Sequence, residues 1–500
     1  MEILGLQFSR VLSLSLLATA VGGLTTSLAC TMPESGETAD GDSTGETGDS
    51  AGDTDGTETA DTEDTSQELV TWHQDIAPLM AEKCSGCHRE GGIGPFALAD
   101  YEDGSNWAEL ALAAIESGAM PPWAEDTTDE CQTRHGFLGD PRLSDDQVAQ
   151  LQQWIADDKP EGDPATAAPL PSPPNVHLDT VDQHLVADGN IEIGGSDDQF
   201  WCYVLDPGFD TTTFIDGVEV IAGNEKIVHH VLVYLDESGE SEALGGEDGR
   251  YECFGGPGVG SSTLLAAWAP GVPAQEYPPQ VASSIPAGSR LVMNVHYHPT
   301  GETEIDEGTG VDLRYASSAP LYLGQMALIG NFDGPLGNGM GLLSGDGDSD
   351  DSPEFVIPAG ATDHRETMLY RLPDQLPEVK IWQAGTHMHY VGTDMLISVD
   401  RAEPEEGTGI DQECLIQTPR YDFNWQRGYR YDAKFEDVPT VKAGDVLHMR
   451  CDYNNSMSNP YVVEALAAQG LDEPTDVLLG DETLDEMCLG VFGIAYSLVP

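Results

Sequence analysis

Hydrophobic and polar positions divide the chain into a short helical region followed by a long region of strands. Between Trp72 and Pro160 the apolar residues recur at helical spacing in three segments. The third segment begins at Ser144, and Gln147 three residues later completes a capping-box pattern. Beyond a Pro-rich stretch at 164–175, apolar runs are short and separated by Gly, Pro and Asp. The pattern predicts a small all-α unit followed by two mainly-β sandwich units.

The predicted strands share β-rich composition and turn residues at both ends. They are 200–205, 218–222, 226–235, 290–298, 379–389 and 446–453.

The first 67 residues resemble export and tethering sequences rather than part of a folded domain. Residues 1–30 are typical of a signal peptide, and the apolar run 11–20 is too short to span a bilayer. Residues 27–30 (SLAC) resemble a lipobox, which predicts a lipid on Cys30; the alternative is an ordinary signal peptide cleaved nearby. Residues 31–67 are acidic and almost without apolar side chains, so we expect a disordered linker.

The net charge of the chain argues against two classes of binding partner. The chain has 88 acidic and 20 basic residues, a formal net charge of −68. Such a chain cannot neutralise phosphates, which argues against nucleic acid. The same charge argues against an anionic membrane surface, so membrane contact is expected only through a lipid anchor. We therefore expect an exported protein, periplasmic or at the cell surface, whose remaining cysteines form disulfides.

Residues 84–88 (CSGCH) form a C-x-x-C-H motif. Its two thiols add to haem vinyl groups and its His binds the iron; the alternative is a disulfide between Cys84 and Cys87. With H-x-D-I-x-P at 73–78 and G-x-M-P-P-W at 118–123, the region resembles small c-type cytochromes of bacterial multidomain proteins. The resemblance implies one covalent haem c in a domain at 68–163. It also implies that His88 is the proximal ligand and Met120 the distal one, with His135 as a competing candidate.

Three later strands carry histidines in patterns that suit a metal. Residues two apart on a strand share a face, so His387 and His389 can bind one ion. His296 and His298 are likewise two residues apart, so they too can bind one ion. Adjacent His229 and His230 point to opposite faces unless the strand bulges or ends there.

Imidazoles suit copper, zinc and iron, and a thioether among them favours Cu(I). Met487, in the run DEMC at 485–488, is therefore a further candidate ligand.

The order HH, HY, H-x-H and DEMC resembles the type II copper, ascorbate-dependent monooxygenases, which include the peptidylglycine- and dopamine-hydroxylating enzymes. The resemblance covers about 190–500 and implies two jelly-roll-like copper domains at 176–318 and 319–500. It implies two copper ions. The electron-transfer copper is held by His229, His230 and His296, and the oxygen-binding copper by His387, His389 and Met487, which the resemblance makes catalytic. His298 is expected to lie outside the ligand set.

The resemblance also implies disulfides between Cys202 and Cys253 and between Cys451 and Cys488. It assigns no partner to Cys131 or Cys414.

The chain departs from the peptide-amidating members of the family at three positions. Gly385 stands where they have a carboxylate-binding Arg, and Leu489 and Val491 replace polar residues after the Met. These departures argue against a peptide carboxylate as substrate and favour a less charged molecule.

The predicted function is copper-dependent hydroxylation of a C–H bond in a small organic substrate with O₂. The haem is a candidate electron relay from an ascorbate-like reductant or a redox protein. The alternative is a non-catalytic haem and copper electron-transfer protein or a copper-binding surface lipoprotein. In a third interpretation the histidines are structural parts of a β-sandwich binding module.

Overall fold

The computed structural model describes most of the chain beyond the acidic stretch. Described are residues 69–498 except 91, 93, 172–174, 188, 190, 196–197, 255, 332–340, 346–347, 349–352 and 481–483. The predicted signal peptide, the lipidation site Cys30 and the linker 31–67 lie outside these residues. No helix in the described part of the chain is long and apolar enough to cross a membrane.

Three helices form the first part of the described chain. A π-helical turn, Trp72–Ile76, leads into α1 (Ala77–Lys83), followed by α2 (Tyr101–Glu116) and α3 (Asp145–Ala156). Both hydrogen bonds of the predicted capping box are present at the start of α3. The helices enclose a small core that contains Trp72, Ile76, Met80, Leu151 and Trp154.

The rest of the chain consists mainly of β-strands, with two more helices, α4 (Glu240–Gly245) and α5 (Pro460–Ala468). The strands of the first half are β1 (Gln183–Val186), β2 (Ile191–Ile193), β3 (Gln199–Leu205), β4 (Thr213–Ile221), β5 (Val228–Asp236), β6 (Arg250–Glu252), β7 (Ser262–Trp268), β8 (Gln275–Glu276), β9 (Val281–Ile285), β10 (Arg290–Tyr297), β11 (Glu304–Asp306) and β12 (Gly310–Tyr315). Those of the second half are β13 (Tyr322–Asn331), β14 (Val356–Ile357), β15 (His364–Arg371), β16 (Val379–His387), β17 (Gly392–Asp400), β18 (Gln412–Thr418), β19 (Gly428–Arg430), β20 (Thr440–Val441), β21 (Val446–Tyr453), β22 (Val477–Leu478) and β23 (Cys488–Ser497).

These strands form two sandwiches that share one continuous sheet. In the first, β1-β12-β4-β9 packs on β6-β3-β10-β5-β7; in the second, β13-β23-β16-β19 packs on β15-β21-β17-β18. Parallel pairing of β9 with β13, at Val281 and Tyr322, joins the two into a ten-stranded sheet. The predicted mainly-β sandwich architecture is thereby confirmed.

Most of the segment between α2 and α3 packs on the second sandwich. Residues 123–142, the arm, run along the second sandwich, where Leu138 N–H donates to the Arg430 carbonyl at 2.8 Å. Phe137 stacks on Tyr431 with ring centroids 4.9 Å apart. The expected all-helical unit at 68–163 is therefore interrupted, because the arm's aromatic residues are buried in the neighbouring domain.

A disulfide between Cys131 and Cys414 fixes the arm to β18. This pairing answers the question that the sequence left open. It also separates His135 from the helical unit, because His135 Nε2 lies 2.9 Å from the Asp437 carbonyl oxygen of the second sandwich.

Replacing Cys131 and Cys414 together with Ser should destabilise the protein and release the arm. Loss of a native disulfide typically costs about 2–5 kcal/mol. We expect a lower unfolding midpoint and new proteolytic cleavage within 123–142, measured by denaturation and limited proteolysis with mass spectrometry. An unchanged midpoint and an uncleaved arm would contradict the structural role of this disulfide.

Candidate metal centres

Three imidazoles of the first sandwich converge on one point. The Nδ1 atoms of His229 and His230 are 3.2 Å apart, those of His229 and His296 are 3.2 Å apart, and those of His230 and His296 are 3.3 Å apart. Nitrogens that bind one ion at about 2.0 Å with tetrahedral angles lie about 3.3 Å apart. The spacing therefore fits a single transition-metal ion.

A β-bulge brings the two adjacent histidines to the same side. On β10, His296 pairs with His230, but the next residue, Tyr297, pairs with Val228. His229 is the extra residue that this register shift leaves unpaired, so its side chain turns toward that of His230. The bulge that two adjacent histidines need in order to share one metal is therefore present.

A carboxylate supports this cluster from outside. Asp198 Oδ2 lies 3.0 Å from His296 Nε2, and Asp198 Oδ1 lies 2.8 Å from His298 Nδ1. Burial opposes ionisation of Asp198, but its contacts with the two histidines outweigh this and hold its pKa below the usual value. His298 is 65% exposed and contacts the carboxylate, in keeping with its expected place outside the ligand set. The sequence did not predict the contact of Asp198 with these histidines, because Asp198 is not part of a recognisable motif.

Burial keeps two imidazoles of this cluster, those of His229 and His230, neutral. It lowers the pKa of His229 to about 4, with further contributions from the charges of His296 and His298. The pKa of His230 lies well below its usual value, mainly because of burial. Neutral imidazole is the form that binds a metal, so the free cluster is ready for a cation at neutral pH.

The second pair of histidines, at the end of β16, presents the other ring nitrogen. His387 Nδ1 lies 2.5 Å from Gln426 Oε1, and His389 Nδ1 lies 2.9 Å from the Asp485 carbonyl. Both oxygens are acceptors, so each Nδ1 carries the proton and each Nε2 keeps a lone pair. Burial lowers the pKa of both rings, that of His387 to about 4.

Met487 is fixed beside this pair through its backbone. A single carboxylate oxygen of Glu486 accepts hydrogen bonds from the N–H groups of His389 and Met487. The Met487 carbonyl accepts from Tyr453 Oη at 2.9 Å. Cys488 forms its disulfide with Cys451, as the resemblance implied, and Cys202 likewise pairs with Cys253. The role of the Met487 thioether as a ligand stays a prediction, while Glu486 and Gln426 are supports that sequence reasoning missed.

The strand that carries His229 and His230 also packs against the second sandwich. Leu232 and Tyr234, which alternate with buried residues along β5, pack against the core of the second sandwich. The charge of protonated His387 contributes to the low pKa of His230. The clusters are thus close enough to interact electrostatically.

The sheet face around His387 is apolar. In antiparallel pairs opposite residues share a face, and His387 pairs with Leu489 and Gly385 with Val491. A Cβ atom at Gly385 would lie 2.9 Å from the Arg427 carbonyl oxygen, so a side chain there has no room. The backbone around residue 385 therefore has room for glycine and none for an Arg side chain.

The C-x-x-C-H motif lies directly after α1. Cys84 and Cys87 are not joined in a disulfide. His88 Nδ1 lies 3.1 Å from the Phe96 carbonyl oxygen, which leaves Nε2 for a metal. A Cβ atom at Gly94 would lie 2.7 Å from His88 Nδ1, so only glycine leaves space for this ring.

An apolar surface borders His88. Trp107 of α2 stacks on Phe96 with ring centroids 4.2 Å apart, and Phe96 contacts the His88 ring. Trp107 and Leu110, three residues apart on the helix, are 36% and 55% exposed. Such a surface beside a free imidazole fits the face of a haem.

The other candidate residues of this region take different places. Met120 is half-buried in the turn after α2, and its axial role stays a prediction. His135 lies on the arm, where its Nε2 contacts the Asp437 carbonyl rather than the helical unit.

Four histidines outside these clusters each contact a carboxylate. These pairs are His177 with Glu219, His184 with Asp312, His364 with Glu366 and His448 with Asp400.

Comparisons with known proteins agree with the geometry of the first sandwich. The family model described as copper type II ascorbate-dependent monooxygenase, N-terminal domain, matches residues 185–304. A DBH-like monooxygenase protein 2 of Homo sapiens is 23% identical over 54% of this chain and 47% of its own length. A DBH-like monooxygenase protein 1 of Mus musculus is 25% identical over 53% of this chain and 41% of its own length.

The chain therefore spans about half the length of the curated relatives it matches. A solved structure of peptide-N(4)-(N-acetyl-β-D-glucosaminyl) asparagine amidase aligns with 62% of this chain and 97% of that chain, at 10% identity and a TM-score of 0.23. That score is too low to bear on the fold. Residues 185–304 are therefore similar to the N-terminal domain of the copper type II, ascorbate-dependent monooxygenases.

Proposed function

We propose that this protein uses two copper ions and O₂ to hydroxylate a C–H bond of a small, uncharged organic substrate, with electrons supplied through a covalently bound haem c. The observation that carries the proposal is the pair of imidazole clusters, one in each sandwich. One cluster offers three Nδ1 atoms, and the other offers two Nε2 atoms beside Met487.

In this proposal His229, His230 and His296 hold one copper, and His387, His389 and Met487 hold the other. When bound, copper supplies one-electron redox chemistry and activates O₂. The soft thioether of Met487 favours the reduced ion. Two imidazoles and one thioether leave room at the second copper for O₂.

The chain's own residues keep these ligands in place. Asp198 orients His296, Gln426 orients His387, and the Asp485 carbonyl orients His389. Such partners fix the tautomer and direction of a metal-binding imidazole. Glu486 joins the backbones of His389 and Met487, so the three proposed ligands of the second copper move as one group.

The surroundings of His387 indicate the substrate class. Leu489 and Val491 form an apolar wall beside it, and Leu328, which pairs with Val491, is 47% exposed. Because residue 385 is glycine, this position has no cationic side chain that could bind a carboxylate. An aromatic or aliphatic molecule without charge near the reacting carbon suits this wall.

The haem belongs to the same proposal. Cys84 and Cys87 would carry it, His88 would bind its iron on one side and Met120 on the other. Burial, and then the charge of Cys87, raises the pKa of Cys84 to about 11, so this thiol is protonated until the haem is attached. Export through a signal peptide with lipidation at Cys30 would place the protein in the periplasm or at the cell surface, and this too is part of the proposal.

Replacing Met487 with Ala should remove one copper and leave the other. The mature protein, purified with haem attached, should contain about two coppers and one iron per chain, and the variant about one copper, because the thioether belongs to only one ligand set. Metal analysis measures both. Met457, which is 52% exposed, gives the matched control. Zinc in place of copper, or equal copper in all three proteins, would contradict the assignment.

The other cluster should respond to different substitutions. His229→Ala should abolish copper binding there, and Asp198→Ala should weaken it by about 10–100-fold, as loss of an orienting partner does elsewhere. Copper titration followed by electron paramagnetic resonance measures both. His184→Ala is the control, because His184 contacts Asp312 on the other sheet. The assignment would be wrong if His184→Ala and His229→Ala had the same effect.

Activity is tested with ¹⁸O₂. Copper-loaded holoprotein with ascorbate should add one ¹⁸O atom to uncharged aromatic or aliphatic compounds and much less to their carboxylates, and Met487→Ala should lose at least about 100-fold of the rate. Mass spectrometry of the products measures the incorporation. If no compound gains oxygen while both coppers and the haem are present, the non-catalytic electron-transfer alternative replaces this proposal.

A further inference from the structure

The C-x-x-C-H turn lies against the first sandwich. Arg89 Nη2 lies 3.4 Å from Glu225 Oε2, just ahead of β5 in the first sandwich. A Cβ atom at Gly271, after β7, would lie 3.7 Å from Cys87 Sγ. The edge of the motif that carries Cys87 is therefore the edge that meets the rest of the protein.

Arg427 of the second sandwich completes this contact. Its Nη2 lies 3.5 Å from the Gly271 carbonyl oxygen, and its guanidinium stands over Trp123 at 5.4 Å from the ring centroid. Arg427 thus contacts Gly271, the same loop residue that approaches Cys87.

The residue before Arg427 contacts a proposed copper ligand. Gln426 Oε1 accepts the hydrogen bond from His387 Nδ1–H at 2.5 Å, and Gln426 Nε2 donates to the Phe423 carbonyl at 3.0 Å. The second bond fixes the direction of the amide. Two consecutive residues therefore connect the surroundings of Cys87 to the ring of His387.

We propose that Gln426 and Arg427 form the route by which electrons pass from the haem edge at Cys87 to the copper held by His387 and His389. This inference rests on the proposed function and adds an entry point to it. Each transfer oxidises ferrous haem iron to ferric and reduces one cupric ion to cuprous, with no proton moved. A one-electron donor of the ascorbate class, or a small redox protein, returns the haem to the ferrous state.

The contact toward the three-histidine cluster is weaker. It consists of the Arg89–Glu225 pair, whose side chains are 48% and 51% exposed, and three residues separate Glu225 from His229. Exposed pairs of this kind contribute little and are loosely held. The observations therefore favour His387 as the place of entry.

The test measures electron transfer in the full holoprotein with haem and two cupric ions, without O₂. A light-driven reductant supplies one electron to the haem, and the absorbance of ferrous haem then decays as the electron leaves. Gln426→Leu and Arg427→Leu should each slow this decay by about tenfold or more. Gln426→Glu should restore much of the rate, because its carboxylate still accepts from His387 Nδ1–H. Haem spectrum and copper content of every variant establish that both metals remain bound.

The matched control is Arg430→Leu. Arg430 lies on β19 three residues after Arg427 and donates to the Glu276 carbonyl instead of the Gly271 carbonyl. Its replacement should leave the decay unchanged. Equal slowing in this control would mean that general loosening of β19, and not the route, sets the rate, and would overturn the inference.

Freeze-quenched samples identify the acceptor by electron paramagnetic resonance. The cupric signal that disappears first should be the one missing in Met487→Ala, and His229→Ala should still accept the electron. Reduction of the three-histidine copper first, or wild-type decay in both route variants, would overturn the inference while ¹⁸O incorporation could still support the monooxygenase. Absence of copper would instead remove the proposed function and the route with it.

Discussion

A single irregularity in β-pairing shapes the first metal cluster. In a regular strand His229 and His230 would face opposite sides of the sheet, and neither could share a metal with the other. The bulge opposite His296 turns both rings to one side at the cost of one broken step in the ladder. The flanking strand pairs, in which β10 runs between β3 and β5, hold this distortion in place. The separation of the three nitrogens is therefore determined by backbone pairing before any ion binds.

The second cluster is controlled by oxygen acceptors instead. Gln426 and the Asp485 carbonyl each take the proton of an Nδ1 atom, which leaves the Nε2 atoms of His387 and His389 free. Because one cluster uses Nδ1 and the other Nε2, the two sets differ in geometry although both consist largely of histidine. Under the proposed function, this difference would suit two copper ions that have separate tasks.

Much of this arrangement could be predicted from local patterns. The strand positions of His230, His296 and His387, the capping box at Ser144 and the sandwich architecture follow from residue spacing. The side chains that contact the histidine rings could not be predicted. Asp198 and Gln426 are distant in sequence from the rings they contact, and neither lies in a motif. The path of the arm across the second sandwich could not be predicted either. Its polar and turn-rich sequence resembles a loop, and only the facing side of the second sandwich shows why Phe137 is buried.

The arm also determines how the molecule can be divided. It lies before α3 in the chain but belongs physically to the second sandwich, where Trp123 packs edge-on against Tyr429. A chain that began after the Pro-rich stretch would expose the apolar surface that Trp123 and Phe137 cover and would leave Cys414 with a free thiol. The two sandwiches and the helical region with its C-x-x-C-H motif thus belong to one compact unit with an interleaved boundary. Any evolutionary gain or loss of the helical region would have had to rebuild a core as well as a linker.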